Sequence, residues 1–311
     1  AYGFDNSNGL HFLNAQIDTI KNFSTGKIIA ESENYRAFGI HNFSGTIQTI
    51  ENYGQILADA HAPINSAAIG NFMGVIDRIN NTGVISATGG YAWGVFNSSA
   101  DNDLPYGIIN SLDNNGTING TAWSIENWGT IGKITNSGLL KGAGGIANTA
   151  EIPVITNTGY IISYGEPLPG EGAAIGTLGN IGTITNSGTI TSAKQYGIGN
   201  GGIIDAINNS GKINADGGDG LANRIGTFYG MPFAGKINSV INSSNAQITG
   251  GLDGITNSSE MGSIKNYGSI KGALDNGMFN AGKLTSLQNN SIIEGGKYGI
   301  LNFSGNLYDL N

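Results

Sequence analysis

The chain writes one phrase over and over: an apolar residue, any residue, then Asn, usually followed by x-Gly-x-Ile. Clear copies are Ile50-Glu-Asn52-Tyr-Gly54-Gln-Ile56, Ile134-Thr-Asn136-Ser-Gly138, Ile184-Thr-Asn186-Ser-Gly188-Thr-Ile190 and Ile264-Lys-Asn266-Tyr-Gly268-Ser-Ile270. The marker asparagines are Asn22, Asn52, Asn81, Asn114, Asn136, Asn157, Asn186, Asn209, Asn242, Asn266 and Asn289, spaced 21 to 33 residues apart. A period in this range describes structural units that stack on one another.

A second motif interleaves with the first: Gly, apolar, any residue, Asn. It occurs as Gly39-Ile-His-Asn42, Gly94-Val-Phe-Asn97, Gly145-Ile-Ala-Asn148, Gly197-Ile-Gly-Asn200, Gly220-Leu-Ala-Asn223, Gly254-Ile-Thr-Asn257, Gly277-Met-Phe-Asn280 and Gly299-Ile-Leu-Asn302. Thr replaces Asn in one copy, Ile175-Gly-Thr177. An Ile-x-x-Ile element precedes the first Asn, as in Ile47/Ile50, Ile76/Ile79, Ile131/Ile134 and Ile181/Ile184. Gly and Asn recur too often for a helical stripe to survive. Short β-branched runs bounded by turn residues are strand signals. Runs this short are stable only when each pairs with its equivalent in the next unit.

The expected fold is therefore all-β: a right-handed parallel β-helix of about 11–12 coils, with three short strands per coil. At about 4.8 Å per coil this predicts a rod of roughly 55 Å. Stacked Ile, Leu and Val fill the tube. The recurring Asn residues (Asn52, Asn81, Asn136, Asn157, Asn186, Asn209 and Asn266 among them) are expected to tolerate a left-handed corner backbone and to hydrogen-bond up a ladder of amides.

Composition narrows function by exclusion. The net charge is −8 and the Lys and Arg residues are scattered, which argues against nucleic acid. No run of apolar residues is long enough for a membrane helix. Charged residues make up only 12%, yet the apolar positions are too regular for disorder. There is no cysteine, which suits passage through an oxidising compartment and an outer-membrane pore. The chain opens in a half-copy, Gly3-Phe-Asp-Asn6, and is expected to be a single β-helix segment, 1–311, of a longer protein.

Signals for chemistry are sparse. The three histidines, His11, His41 and His61, lack metal-ligand spacing, and no Gly-x-Ser-x-Gly turn is present. Asp101/Asp103 and Asp216/Asp219 are the carboxylate pairs that a glycan-cleaving site would need, although acidic loop residues are usually just solvated. Asp216-Gly-Gly-Asp219-Gly resembles a calcium nonapeptide but has no tandem copy. The expectation is a protein that is not an enzyme, with no cofactor and no metal.

Runs such as Gly182-Thr-Ile-Thr-Asn-Ser-Gly-Thr-Ile190 and Ile79-Asn-Asn-Thr-Gly-Val-Ile85 resemble the passenger repeats of bacterial autotransporters, and the resemblance extends from Asn6 to Asn302. It implies a virulence-associated passenger domain exported across the outer membrane, displayed on the cell surface or secreted, and anchored by a barrel domain outside this segment. The expected function is a non-catalytic adhesin or self-association module. Its partners would be a host-cell surface protein or glycan, or another copy of itself on a neighbouring cell. Two alternatives stay open: a fragment of a β-helical secreted toxin that oligomerises on host membranes, and a polysaccharide-cleaving β-helix.

Recognition is expected where the spacing lengthens, because loops on a regular frame carry identity. Insertions are expected near 30–38, 57–68, 98–107, 163–173 and 224–236. Candidate binding residues are Trp93, Asp101, Asp103, Tyr106, Trp123, Trp128, Phe228, Tyr229 and Phe233, as aromatic or acidic contacts. The competing expectation is that these rings fold back and cover the coils.

Overall fold

The computed structural model describes residues 2–7, 15–98, 106–165, 172–228, 231–303, 305–307 and 309–310. These residues contain no helix, and their parallel strands stack as a β-solenoid of about ten turns. Two compact units divide the chain, Ala1–Pro153 and Val154–Asn311.

Each turn contributes three strand segments, one for each motif. In the N-terminal unit the Ile-x-x-Ile-x-Asn motif forms the long strands Gln16–Asn22, Thr46–Asn52, Val75–Asn81 and Ile108–Asn114, paired in parallel. The following x-Ile segments form a second face, from Lys27–Ser32 to Leu139–Gly142. The Gly-x-x-Asn segments form a third, from Tyr2–Ser7 to Gly144–Asn148. The C-terminal unit repeats the pattern, with long strands Asn180–Asn186, Ile203–Asn209, Lys236–Asn242, Glu260–Asn266 and Lys283–Asn289 in unbroken register.

Register stacks like on like. Ile50, Ile79, Leu112 and Ile134 follow one another in one column of the N-terminal unit, each 0% exposed. Ile56, Ile85, Ile118 and Leu140 form a column on the second face, also at 0%. Burying each such side chain contributes about 1.5–3 kcal/mol, which offsets the ordering of a chain with so much glycine.

The asparagines form two ladders in each unit. In the N-terminal unit Asn22 Nδ2 donates to Asn52 Oδ1 at 2.8 Å, and Asn52, Asn81 and Asn114 each donate to the next at 2.7–2.8 Å, ending on Asn136. The C-terminal unit has the same chain of bonds from Asn157 through Asn186, Asn209, Asn242 and Asn266 to Asn289, at 2.8–2.9 Å. The amides also donate to backbone carbonyls; Asn52 Nδ2, for example, reaches Val84 O at 3.1 Å. A buried amide is thereby satisfied on every turn.

The corner backbone differs from the expectation. Among the described residues, positive φ is confined to Ser44, Met73, Asn245 and Gly89, so no described ladder Asn adopts the left-handed conformation. The amide bonds alone account for Asn at these positions. Where a glycine stands two residues after the Asn, close approach requires it instead. A Cβ on Gly83 would lie 2.1 Å from Gly54 O, and one on Gly116 would lie 2.1 Å from Gly83 O.

The second ladder runs through Asn42, Asn71, Asn97, Asn127 and Asn148 in the N-terminal unit, at 2.7–2.9 Å. Asn71 and Asn127 escape the Gly-x-x-Asn pattern because Ala68 and Ser124 take the glycine's place. In the C-terminal unit it runs from Asn200 through Asn223, Asn257 and Asn280 to Asn302, at 2.6–2.8 Å. Thr177 is the register partner of Asn200, and its hydroxyl donates to Gly179 O at 3.2 Å, as Asn200 Nδ2 does to Gly202 O at 3.1 Å. A hydroxyl thus reproduces the bond each amide makes within its own turn.

The longer spacings are absorbed in different ways. Around 57–68 the extra residues stay in the sheet: Gln55–Phe72 is one strand of 18 residues, paired with Val84–Ser98 across a register shift between Ala60 and Asn65. Neighbouring turns lengthen together and keep their backbone groups paired. After Lys27–Ser32 the chain bends, and Tyr35 is exposed. At 224–236 the strands Ile225–Phe228 and Met231–Ala234 pair as an antiparallel hairpin. The acidic segment 99–105 and the proline-bearing segment 166–171 lie outside the described residues.

Candidate functional site

The third face of the N-terminal unit carries a continuous outward aromatic layer. Along each Gly-x-x-Asn strand the apolar residue points into the tube, giving the column Ile40, Ile69, Val95, Ile125 and Ile146, all 0% exposed. The next residue must face outward. Its column reads Asp5, His41, Gly70, Phe96, Glu126 and Ala147. Just before the strand's bend lies another column: Tyr2, Phe38, Ala67, Trp93, Trp123 and Gly144.

Small residues interrupt these columns at Ala67, Gly70 and Gly144, and neighbouring rings lean into the gaps at Gly70 and Gly144. Phe38 meets Phe72 edge-on at 5.5 Å, Phe72 meets Phe96 at 5.5 Å, and Phe96 stacks on Trp93 at 4.4 Å and 15°. Tyr91 closes on Trp93 at 5.4 Å in a T-shaped contact. A Cβ on Gly70 would lie 2.8 Å from the Phe72 ring and 3.0 Å from the Phe38 ring; one on Gly144 would lie 2.1 Å from Trp123. These glycines are seats for aromatic rings. Such offset and edge-on pairs each contribute about 0.5–1.5 kcal/mol beyond area burial.

Trp93 and Trp123 are register partners on adjacent turns, 5% and 4% exposed. They are the buried floor of the layer. The Trp93 indole N–H has no hydrogen-bond partner among the described residues. Trp128 stands at the corner, 38% exposed, and donates its indole N–H to Glu126 Oε1 at 2.6 Å. Tyr106, 46% exposed, enters the next turn just ahead of Gly107, whose N–H bonds Ser98 O at 2.9 Å. Tyr2, next to Phe38 in its column, is exposed as well.

His41 is buried in the same layer. Its Nδ1 lies 2.9 Å from Asp5 Oδ1, and its ring packs against Tyr2, Phe38, Phe43 and Phe72. His61 is exposed, 3.9 Å from Asp59, and His11 lies outside the described residues. Among the described residues no three His, Cys, Asp or Glu side chains are grouped as metal ligands would be.

Asp101, Asp103 and Tyr229 lie outside the described residues, as does the Phe228 side chain. Phe233 is half-buried and folds back from the hairpin: a Cβ on Gly226 would lie 2.8 Å from its ring, and one on Gly201 would lie 2.7 Å from it. Asp216 is exposed and accepts from Asn214 Nδ2 at 2.7 Å.

Asp219 faces Asp253, one turn on, which sequence proximity did not suggest. Asp253 N–H donates to Asp219 Oδ1 at 3.2 Å, and Asp253 Oδ1 accepts from Asn276 N–H at 2.7 Å and Asn276 Nδ2 at 2.8 Å. Burial, with the Asp253 charge, pushes the Asp219 carboxyl above its ordinary value, against the lowering effects of hydrogen bonds from Asp253 N–H and the Thr256 hydroxyl and of Arg224. Arg224 lies over the Tyr196 ring at 4.8 Å. Asp253 is held by hydrogen bonds on both oxygens, Thr256 Oγ1 supplying the third at 3.1 Å, an arrangement that serves packing better than proton transfer.

No protein-family model matches the chain, and neither a curated protein nor a solved structure matches it.

Proposed function

We propose that this chain is a non-catalytic adhesive or self-associating module of the bacterial autotransporter passenger type. It works at the bacterial surface or after release from it, and a barrel domain elsewhere in the longer protein exports and anchors it. The observation that supports this reading most is the aromatic layer of the N-terminal unit. Its floor, Trp93 and Trp123, is buried, while Tyr106 and Trp128 are exposed. Aromatic anchors of this kind, set in a repeating frame, suit contact with a host-cell protein or a second copy of the chain. The motif that carries the resemblance also builds the frame, since the same Ile and Asn positions make the core columns and the ladders.

The test is binding of the labelled chain to host cells and to bacteria displaying the same protein. Saturable binding to either surface, with no product released from glycan substrates, is the expected result. Absence of binding to both surfaces contradicts the proposal.

A further inference from the structure

The corner between the first and second faces of the C-terminal unit holds a groove of about 480 Å³, lined by Thr158, Gly159, Tyr160, Ser187, Gly188, Thr189, Gly211, Lys212, Asn245 and Gln247. Tyr160, Thr189, Lys212 and Gln247 are consecutive register partners on four turns, so the wall extends over about 14 Å at the usual strand separation. Tyr160 is 56% exposed and offers a ring face. The turn at Ser243–Ala246 is wider than its neighbours and puts Asn245, at φ 66°, at the groove's end.

The lining is polar and carries one cation, Lys212. None of the ten lining residues is acidic, in a protein of net charge −8. The flanking outward columns read Thr185, Asn208, Ile241 and Lys265 on one side, and Ile162, Thr191, Asn214, Thr249 and Lys271 on the other. Among the described residues the second of these columns continues to Glu294, which pairs with Lys271 at 2.7 Å, and Asp216 is held by Asn214. Lys212 makes no ion pair within 4 Å among the described residues.

An open polar trough with one stacking ring, several hydroxyl and amide groups and an unmatched cation fits a chain of hydroxylated rings bearing negative charge. We infer that this groove binds an acidic oligosaccharide, a glycan carrying uronate or sulfate groups. Tyr160 stacks on a sugar face, Lys212 meets the anionic group, and Thr189, Ser187, Asn245 and Gln247 bond hydroxyls. The inference rests on the adhesive reading above and names the ligand class for one of its surfaces.

The test is titration of the 311-residue chain with heparin-derived and polygalacturonate oligosaccharides, and with neutral dextran oligosaccharides for comparison. Acidic chains should bind with an affinity that falls as salt rises. Lys212→Glu should weaken binding about tenfold or more and Tyr160→Ala several-fold, while Lys212→Arg retains it. These side chains point outward, so circular dichroism should show all three variants folded. Equal binding of dextran, or acidic binding undiminished in Lys212→Glu and Tyr160→Ala, overturns the assignment. Saturable cell-surface binding with no oligosaccharide binding overturns the groove and leaves the adhesive reading standing. Oligosaccharide binding without cell-surface binding supports the groove and counts against adhesion.

Discussion

The two units build the same interior and opposite exteriors. Ahead of each Gly-x-x-Asn strand, the N-terminal unit places Phe38, Ala67, Trp93, Trp123 and Gly144 in one outward column. In the C-terminal unit the residues preceding the motif glycines are Tyr196, Asp219, Asp253, Asn276 and Tyr298. The first set packs ring on glycine; the second packs carboxylate on amide and backbone N–H. Behind both lie a column of buried aliphatics and an Asn ladder at nearly the same bond lengths. Stacking constrains only the residues that point inward or turn the corner, because each must match its equivalents above and below. Outward positions are free to differ, and identity lies there.

The largest expected effect comes from breaking the aromatic exterior. Trp93→Ala removes a ring stacked on Phe96 and should lower unfolding free energy by about 3–4 kcal/mol. Asp253→Ala, the counterpart in the C-terminal unit, should cost only about 1–2 kcal/mol, through lost hydrogen bonds. Urea unfolding of both variants measures the difference, and equal losses would erase the distinction between the exteriors.

The interiors should respond alike. Asn127→Ala and Asn223→Ala each strand a buried carbonyl and a neighbouring amide, and each should cost about 2–3 kcal/mol. A gap well beyond 1 kcal/mol between them would mean that the ladders are not equivalent.

A smaller effect distinguishes the acidic column by pH. The folded chain holds the Asp219 proton more tightly than the unfolded chain, because burial raises its pKa. Stability therefore falls as pH rises from the ordinary carboxylate value through the folded value, and the penalty is complete above it. Asp219→Asn should raise the unfolding midpoint in neutral buffer, and the gain should vanish below the ordinary carboxylate range. A midpoint lowered at neutral pH would show that the ionised carboxylate is stabilising. Smallest in stability is Tyr106→Ala, expected within about 0.5 kcal/mol of the parent chain because the ring is surface-exposed.

The interior could be read from the sequence because its rules are local: Ile-x-x-Ile-x-Asn and Gly-x-x-Asn state which residues face inward. Asn71 and Asn127 fall outside the motif because Ala68 and Ser124 fill the glycine position, although each keeps the apolar-x-Asn remainder. The reason for Asn was half legible. The amide ladder follows from the repeat, whereas the φ angles require a backbone. The exterior was hardly legible at all. Phe38, Phe72, Phe96 and Trp93 meet only because register brings successive turns together, and that depends on how each insertion is absorbed. The lengthening at Gln55–Phe72 stays in the sheet, while that at Ile225–Ala234 leaves it as a hairpin. Likewise the sequence sets Asp219 beside Asp216, whereas stacking sets it against Asp253.

The most direct test of this account is saturation binding of the labelled chain to host cells and to bacteria displaying it, compared with a Tyr106→Ala/Trp128→Ala variant shown by circular dichroism to be folded. The account predicts saturable binding to one of the surfaces, weakened about tenfold or more in the variant. Binding unchanged in the variant, or absent from both surfaces for the parent chain, would contradict it.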